Sequence, residues 1–216
     1  LRCCFVVDTS GSMDFGSGNV TKLQYAKRLV GALGYIATQQ GDAVGLSCVA
    51  EEVVQSLPPK RGPAHLRTMF DLLELAEPKG ETELVTVLHE LAETIPQRAL
   101  IIVLSDLFVE PALLKECFQH LRFRKHDVSV FHLLDPQEIG FEFKRPTRFL
   151  DMEGGTAIFA EPNDIADRYH KAIQLYLEDL RQVVLESAID FHQVRLDEEY
   201  EQVLSRFLVG RTRGKG

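Results

Sequence analysis

Oxygen-bearing side chains crowd the segment that follows the first apolar run of the chain. Asp8, Ser10 and Ser12 stand at alternate positions directly after the apolar run 3–7. Carboxylate and hydroxyl oxygens are hard ligands of low total charge, and such a set suits a small divalent cation, Mg²⁺ or Mn²⁺. Because hydroxyls are neutral, a cation held mostly by them accepts one more anionic ligand. The segment therefore predicts half of a docking site, placed in a loop after a buried strand.

The spacing Asp8-x-Ser10-x-Ser12 resembles the metal-ion-dependent adhesion site (MIDAS) of von Willebrand factor A (VWA) domains. That family completes its site with a threonine from a second loop and an aspartate after a later strand. Thr82, which precedes a helical pattern, and Asp106, which ends a buried apolar strand, match these positions. The resemblance implies that the three hydroxyls coordinate the metal, that the two acids orient waters and hydroxyls, and that an Asp or Glu of a partner protein completes the shell.

Two positions depart from the VWA pattern. Glu81 stands where a small residue is frequent, and Ser105-Asp106-Leu107 replaces the common Thr-Asp-Gly. The carboxylate of Glu81 adds negative charge beside the loop. That charge would either strengthen cation binding or repel an acidic ligand.

Apolar runs and helical stripes alternate along the chain. Strands are predicted over 43–49, 52–56, 99–105 and 127–133, with Pro58 and Pro59 ending the second of these. Helical stripes cover 23–37, 66–76, 84–95, 113–121 and 165–184; a hairpin is predicted around Gly154-Gly155, an extended segment over 192–196, and a last helix after it. This alternation predicts an α/β fold of the doubly wound, Rossmann-like type: a mostly parallel central sheet with one antiparallel edge strand and helices on both faces. The strands that end in Asp8 and Asp106 are expected to be central neighbours, which brings both acids to one crevice.

Composition limits the classes of protein to consider. With 216 residues and no linker-like segment, the chain is long enough for one α/β core. We expect a VWA-like domain over 1–196 and a C-terminal helix with a basic tail over 197–216, packed on or extending that domain. Since Leu1 already lies in a core strand, we expect a fragment that lacks an N-terminal segment.

Partners and location follow from charge and hydropathy. The net charge of −8 disfavours nucleic acid, and no apolar run is long enough to span a bilayer, so no membrane contact is expected. The four cysteines lie in predicted strands or on an apolar helix face, which favours buried free thiols and a cytoplasmic location. The seven histidines show no zinc-type spacing and are expected at the surface or the edge of the core.

Wider stretches of the chain resemble one bacterial branch of the VWA domains, the domain-of-unknown-function fifty-eight group. They are residues 22–29, 40–46 and 104–107 and the late hairpin. Members of that group are similar to VWA partners of MoxR-type AAA+ ATPases. The resemblance therefore implies a non-enzymatic interaction module that acts with such an ATPase in protein remodelling or maturation.

Two alternatives remain. An Asp after a first parallel strand, with Mg²⁺ nearby, also describes phosphohydrolases that form an aspartyl phosphate on a residue such as Asp8. Those enzymes need a second carboxylate two residues on, where this chain has Ser10, and no Lys or Arg that balances a phosphate is identified near the loops. The other alternative is a structural domain whose metal site stays vacant.

Overall fold

A six-stranded sheet forms the centre of the fold. Its strands are β1 (Arg2–Asp8), β2 (Ala43–Val49), β3 (Val53–Lys60), β4 (Leu100–Ser105), β5 (Asp127–Leu134) and β8 (Asp190–Arg195). Their order across the sheet is β3-β2-β1-β4-β5-β8, so β1 lies inside it. The computed structural model of the protein describes residues 1–51, 53–143, 145, 147–149, 152 and 158–213. The neighbouring strands are parallel except for β3, which runs antiparallel to β2 at one edge. The predicted doubly wound sheet with one antiparallel edge is confirmed.

Helices cover both faces of this sheet. They are a short 3-10 helix (Gly11–Asp14), α1 (Lys22–Gln39), α2 (Pro63–Leu75), α3 (Leu84–Thr94), α4 (Pro111–Phe123), α5 (Pro136–Gly140), α6 (Pro162–Ser187) and α7 (Tyr200–Arg213). Within the described residues, no helix is both long enough and apolar enough to cross a bilayer.

The two faces of β1 belong to two separate parts of the hydrophobic core. Phe5 and Val7 pack with residues of α1, α2 and α7, whereas Cys4 and Val6 pack with residues of α3, α4 and α6. Side chains alternate along a strand, so burial of both faces requires the continuous apolar run from which the strand was predicted. This double burial fixes the position of Asp8 at the end of β1.

Strand β3 differs from its prediction. The strand continues through Pro58 and Pro59 to Lys60 instead of ending before them. Proline cannot donate a ladder hydrogen bond, but an edge strand tolerates it. The pairing with β2 also shifts register between Val44 and Leu46, opposite the prolines. The prolines therefore mark the edge of the sheet and not the end of the strand.

The region after β5 contains one helix that the sequence pattern did not predict and a hairpin that it did. Helix α5 has only five residues and was not predicted. The predicted hairpin is present as β6 (Thr147–Phe149) paired antiparallel with β7 (Ile158–Ala160). Its predicted turn, Gly154-Gly155, lies outside the described residues.

The prediction for the cysteines is confirmed, and the prediction for the histidines is wrong at two of the seven positions. All four cysteines are buried free thiols, as predicted. His126 and His132 are almost fully buried, so their prediction as surface or core-edge residues was wrong. Both lie at strand β5 or next to it, where packing on both faces excludes water.

Candidate functional site

The two predicted acids lie side by side at the carboxyl edge of the sheet. Asp8 is the last residue of β1, and Asp106 directly follows β4, the parallel neighbour of β1. Val7 pairs with Leu104, so the chain leaves both strands at the same level. Each acid is only 1% exposed. The topology thus places two buried carboxylates at the same edge of the sheet, as predicted for neighbouring parallel strands.

The two serines present their hydroxyls to the same place. The Oγ atoms of Ser10 and Ser12 lie 3.1 Å apart, and the Ser10 backbone N–H donates to Asp8 Oδ1 at 2.9 Å. Oxygens in adjacent positions of an octahedral Mg²⁺ shell, each about 2.1 Å from the ion, lie about 3.0 Å apart. Ser10 is buried and Ser12 is partly exposed. The hydroxyl pair therefore fits two neighbouring ligand positions, with Ser12 on the solvent side.

Backbone hydrogen bonds hold the Thr82 loop against the first loop. Lys79 N–H donates to the carbonyl of Thr9 and Gly11 N–H to that of Gly80, both at 2.8 Å. Gly80 has φ +74°, a conformation that glycine adopts without strain. Thr82 Oγ1 lies 3.5 Å from Asp8 Oδ2, a long contact. The third predicted hydroxyl is thus close to the first predicted acid.

The unusual Ser105-Asp106-Leu107 segment has its own hydrogen bonds. The Ser105 hydroxyl donates to Asp8 Oδ2 at 2.6 Å and accepts from the Leu107 N–H at 2.9 Å. Leu107 has φ +53°, which explains why the family commonly has glycine there. The Leu107 side chain is fully buried, and its carbonyl accepts from the Tyr176 hydroxyl. Burial and hydrogen bonds offset the backbone strain.

Lys22 is a member of this site that the sequence analysis missed. Its side chain is fully buried, and its Nζ lies 2.5 Å from Asp106 Oδ2 and 2.6 Å from Glu138 Oε1. Burial lowers the pKa of Lys22, but the charges and hydrogen bonds of the two acids outweigh it, so the net shift is upward. The rings of Phe15 and Phe108 lie 5.8 and 5.3 Å from the ammonium. The ammonium is therefore charged and enclosed.

A signal for Lys22 was present in the sequence. Lys22 stands four positions before Ala26 and seven before Leu29, both on the buried stripe of α1. A lysine in register with such a stripe must bring its charge inside, and a buried charge needs a partner.

Glu138 is placed by a second set of contacts. Its Oε2 accepts from the Asp135 N–H at 2.8 Å, and Asp135 in turn accepts from the Gln137 N–H, so the two acids form a capping box at the start of α5. Ser17 donates to Asp135 through its N–H and its hydroxyl, at 2.8 and 2.6 Å. The loop before α1 and helix α5 are thereby tied together around Lys22.

The carboxylates outnumber the cations at this site. Burial, and then the charge of Asp106, raise the pKa of Asp8 to about 6. The carboxyl groups of Asp8, Asp106 and Glu138 share the site with the single ammonium of Lys22, and burial raises the pKa of Glu138 as well. In the described part of the chain, no group of three or more His, Cys, Asp or Glu side chains is arranged to hold a metal ion. A divalent cation here would offset the excess negative charge and would need the hydroxyls as ligands.

His132 supports the Asp106 segment from strand β5. Its Nε2 donates to the carbonyl of Asp106 at 2.9 Å, and its ring is fully buried. Among the described residues, its Nδ1 has no hydrogen-bond partner. Burial lowers the pKa of His132 to about 4. The ring is therefore neutral at physiological pH.

We expect His132 to make the fold sensitive to acid. Its folded-state pKa lies below its ordinary value of 6.5, so the stability it contributes is present above pH 6.5 and is lost as the pH falls through 4. The loss amounts to about 3 kcal/mol, at 1.36 kcal/mol per pKa unit. The variant His132→Gln keeps a donor for the carbonyl of Asp106. In urea unfolding at several pH values, its free energy of unfolding should vary less with pH than that of the parent chain. Parallel curves for the two chains would contradict this expectation.

Sequence comparison identifies relatives over most of the chain. Residues 1–174 match the family described as "Protein of unknown function DUF58". The uncharacterized proteins Rv1480 of Mycobacterium tuberculosis and Mb1516 of Mycobacterium bovis are both similar to this chain. Each is 22% identical to it over 218 residues, which cover 99% of this chain and 68% of the relative.

Solved structures share the fold. The conserved hypothetical protein BatB from Bacteroides thetaiotaomicron has a TM-score of 0.67 at 19% identity and covers 99% of both chains. An aerotolerance-related membrane protein from Bacteroides fragilis has a TM-score of 0.63 at 18% identity, covering 95% of this chain and 97% of that one. The VWA domain of SpRpn10 has a TM-score of 0.56 at 10% identity, covering 92% of this chain and 89% of that one. With a family match over 174 of its 216 residues and these structural neighbours, the chain belongs to the DUF58 family and has a VWA-like fold.

Proposed function

We propose that this VWA-like domain is a divalent-metal-dependent protein-interaction module. Ser10, Ser12 and Thr82 would hold Mg²⁺ or Mn²⁺ through their hydroxyls, while Asp8 and Asp106 balance its charge and orient waters. The observation that carries the proposal is the convergence of these five side chains, from three separate loops, at one edge of the sheet. When bound, the cation would supply an electrophilic centre for an oxygen ligand of another molecule.

The surroundings of Ser12 leave room for such a ligand. Ser12 and Thr82 are partly exposed, whereas Asp8, Ser10 and Asp106 are buried, so the hydroxyls of Ser12 and Thr82 form the open side. A hollow of about 210 Å³ borders Ser12. It is lined by Ser12, Phe15, Lys22, Gln137, Glu138, Phe141, Phe143, Met152 and Tyr169. A carboxylate side chain is small enough to enter a hollow of this volume.

The partner is inferred to be a protein that offers an Asp or Glu. A divalent cation would offset the excess negative charge of the site, so the site would repel an acidic group less. The resemblance to VWA partners of MoxR-type AAA+ ATPases makes such an ATPase our candidate, with protein remodelling or maturation as the process. Binding of metal and of partner would then reinforce each other.

The phosphohydrolase alternative gains one feature and lacks another. Lys22, which the sequence pattern did not identify as a cation near the loops, does lie beside Asp106. Both of its ion pairs are to carboxylates, however, and its side chain is fully buried. A phosphate would have to displace Asp106 or Glu138 to reach it. The position two residues after Asp8 holds Ser10, whose hydroxyl is a poor proton donor near neutral pH. We therefore propose binding and not catalysis.

Calorimetric titration of chelator-treated protein with Mg²⁺ tests this function. We expect saturable binding at one site, and a loss of affinity of about tenfold or more when both hydroxyls are removed in Ser10→Ala/Ser12→Ala. Both substitutions are small and leave the carboxylates in place, so a changed affinity reports on the hydroxyls.

Ser56→Ala is the matched control, because Ser56 is an exposed serine on the edge strand β3. It should bind Mg²⁺ like the parent chain. Equal affinities in all three proteins would place the cation elsewhere. Repeating the titration with a MoxR-type ATPase present should tighten Mg²⁺ binding, and an unchanged affinity would count against that partner.

A further inference from the structure

We propose that Lys22 is a built-in cation that competes with the metal ion for Asp106. This inference rests on the metal-dependent function proposed above and adds a means of setting its affinity. The ammonium already occupies Asp106 Oδ2, so metal binding must share or displace that contact. In this way the chain keeps its own metal affinity low, and the acid of a partner supplies the missing binding energy.

The position of the ammonium is fixed from several directions. Lys22 is the first residue of α1, behind a capping box formed by Thr21 and Gln24, and its backbone N–H donates to the carbonyl of Phe15 at 3.0 Å. Its Nζ is clamped between acids that come from the end of β4 and from α5. A side chain anchored in this way cannot move into solvent without breaking two buried ion pairs. Moving the ammonium away from Asp106 is therefore costly when a metal arrives.

The charges give the direction of the effect. Like charges a few ångströms apart repel strongly where water is excluded, and both Lys22 and Asp106 are almost fully buried. An ammonium next to a carboxylate of the proposed metal site lowers the affinity for any cation, and it also holds one oxygen of that carboxylate. Removal of the ammonium should therefore tighten metal binding.

A purely structural role for Lys22 makes a different prediction. If the ammonium only joined α1, the end of β4 and α5, its loss would lower stability by the same amount with and without metal. If it competes with the metal, the loss would be accompanied by a tighter metal site, and added Mg²⁺ would recover stability. Metal affinity therefore separates the two roles, and stability alone does not.

The test compares the parent chain with Lys22→Met, which keeps most of the length of the side chain and removes its charge. We expect the Kd for Mg²⁺, measured by calorimetry, to fall by at least about tenfold. The rise in melting temperature on moving from chelator to Mg²⁺ should be larger in the variant than in the parent chain. An unchanged or weakened affinity for Mg²⁺ in the variant would overturn the proposal.

A second variant keeps the proposal testable if Lys22→Met does not fold. It also separates the effect of the contact between Lys22 and Asp106 from the effect of the net charge of the site. Lys22→Met/Glu138→Gln removes one positive and one negative charge, so the site keeps the same net charge while Asp106 loses its ammonium. Competition for Asp106 predicts that this variant also binds Mg²⁺ at least about tenfold more tightly than the parent chain. Parental affinity in the double variant would overturn the competition.

The outcomes also separate this inference from the function on which it rests. A parent chain that binds Mg²⁺ with variants that bind no better would remove only the role of Lys22. Parent and variants that all ignore Mg²⁺ would refute the metal site and the competition together.

Discussion

Asparagine in place of Asp8 is expected to stabilise the metal-free protein and to weaken its Mg²⁺ binding about a hundredfold. Asp8 is buried, and its pKa of about 6 means that ionisation near neutral pH costs folding free energy. The amide of Asn can still accept from the Ser10 N–H and can donate to the Ser105 hydroxyl, so both neighbours keep a hydrogen bond, the second with its direction reversed. Removal of the charge should therefore raise the free energy of unfolding by up to about 3 kcal/mol above pH 6.

The pH dependence makes this expectation specific. The folded-state pKa of Asp8 lies above the ordinary 3.8. The contribution of this group to the stability of the parent chain is therefore fully present below pH 3.8 and is lost as the pH rises through 6. The advantage of Asp8→Asn should accordingly appear between pH 4 and 6 and stay constant above that range. The contribution of His132 has the opposite sign but is common to both proteins, so it cancels in the difference.

Unfolding in urea with a chelator present measures the stability, and calorimetry measures the metal. Affinity for Mg²⁺ should fall on the order of a hundredfold in Asp8→Asn, because an anionic group next to the metal is replaced by a neutral one. If the variant is less stable than the parent at pH 7.5, the charge of Asp8 is already balanced by its neighbours in the fold. If the variant binds Mg²⁺ like the parent, Asp8 is not part of the metal site.

The positions of Asp8 and Asp106 were predictable because they depend on strong signals. Each follows a continuous apolar run that only a strand buried on both faces explains. Parallel strands end at the same edge of the sheet, so the two acids had to meet once their strands were neighbours. The proximity of the Ser10 and Ser12 hydroxyls was predictable from their spacing in the same loop.

Other parts of the site depend on contacts that spacing does not reveal. Lys22 and Glu138 are 116 residues apart and meet only because α1 and α5 lie at the same edge of the sheet. Helix α5 is too short for a periodic pattern, so Glu138 had no recognisable element to place it. In the sequence, His132 is a single polar residue within an apolar strand. Its hydrogen bond goes to a backbone carbonyl, that of Asp106, and every residue has such a carbonyl, so the sequence does not point to this one. Sequence periodicity carries no information on such pairings.

Leu107 shows how a departure from a family pattern acquires a physical reason. The sequence indicated only that leucine replaces a common glycine. The left-handed backbone at φ +53° explains the usual glycine, and the buried side chain explains why leucine is tolerated. The strain at a non-glycine residue of this kind is about 1–3 kcal/mol, and burial of a leucine side chain contributes about as much in the opposite direction.

Asp106→Asn is expected to have the opposite effect on stability from Asp8→Asn, although the two acids have similar places in the metal site. Asp106 is paired with the buried ammonium of Lys22, whereas burial and the charge of Asp106 both raise the pKa of Asp8. Loss of one partner from a buried ion pair is costly because the other charge stays inside, and Glu138 compensates only part of it. We expect a loss of about 2–4 kcal/mol, or a melting temperature lower by roughly 5–15 °C for a domain of this size.

The ion pair can be isolated by combining this change with Lys22→Met. If the loss in Asp106→Asn comes from the stranded ammonium, the same substitution should cost much less once Lys22 carries no charge, and the difference is the coupling energy of the pair. Equal costs in both backgrounds would mean that Asp106 stabilises the fold through other contacts. Opposite signs for Asp8→Asn and Asp106→Asn would establish that this site holds one acid already balanced by the chain and one that still needs a cation from outside.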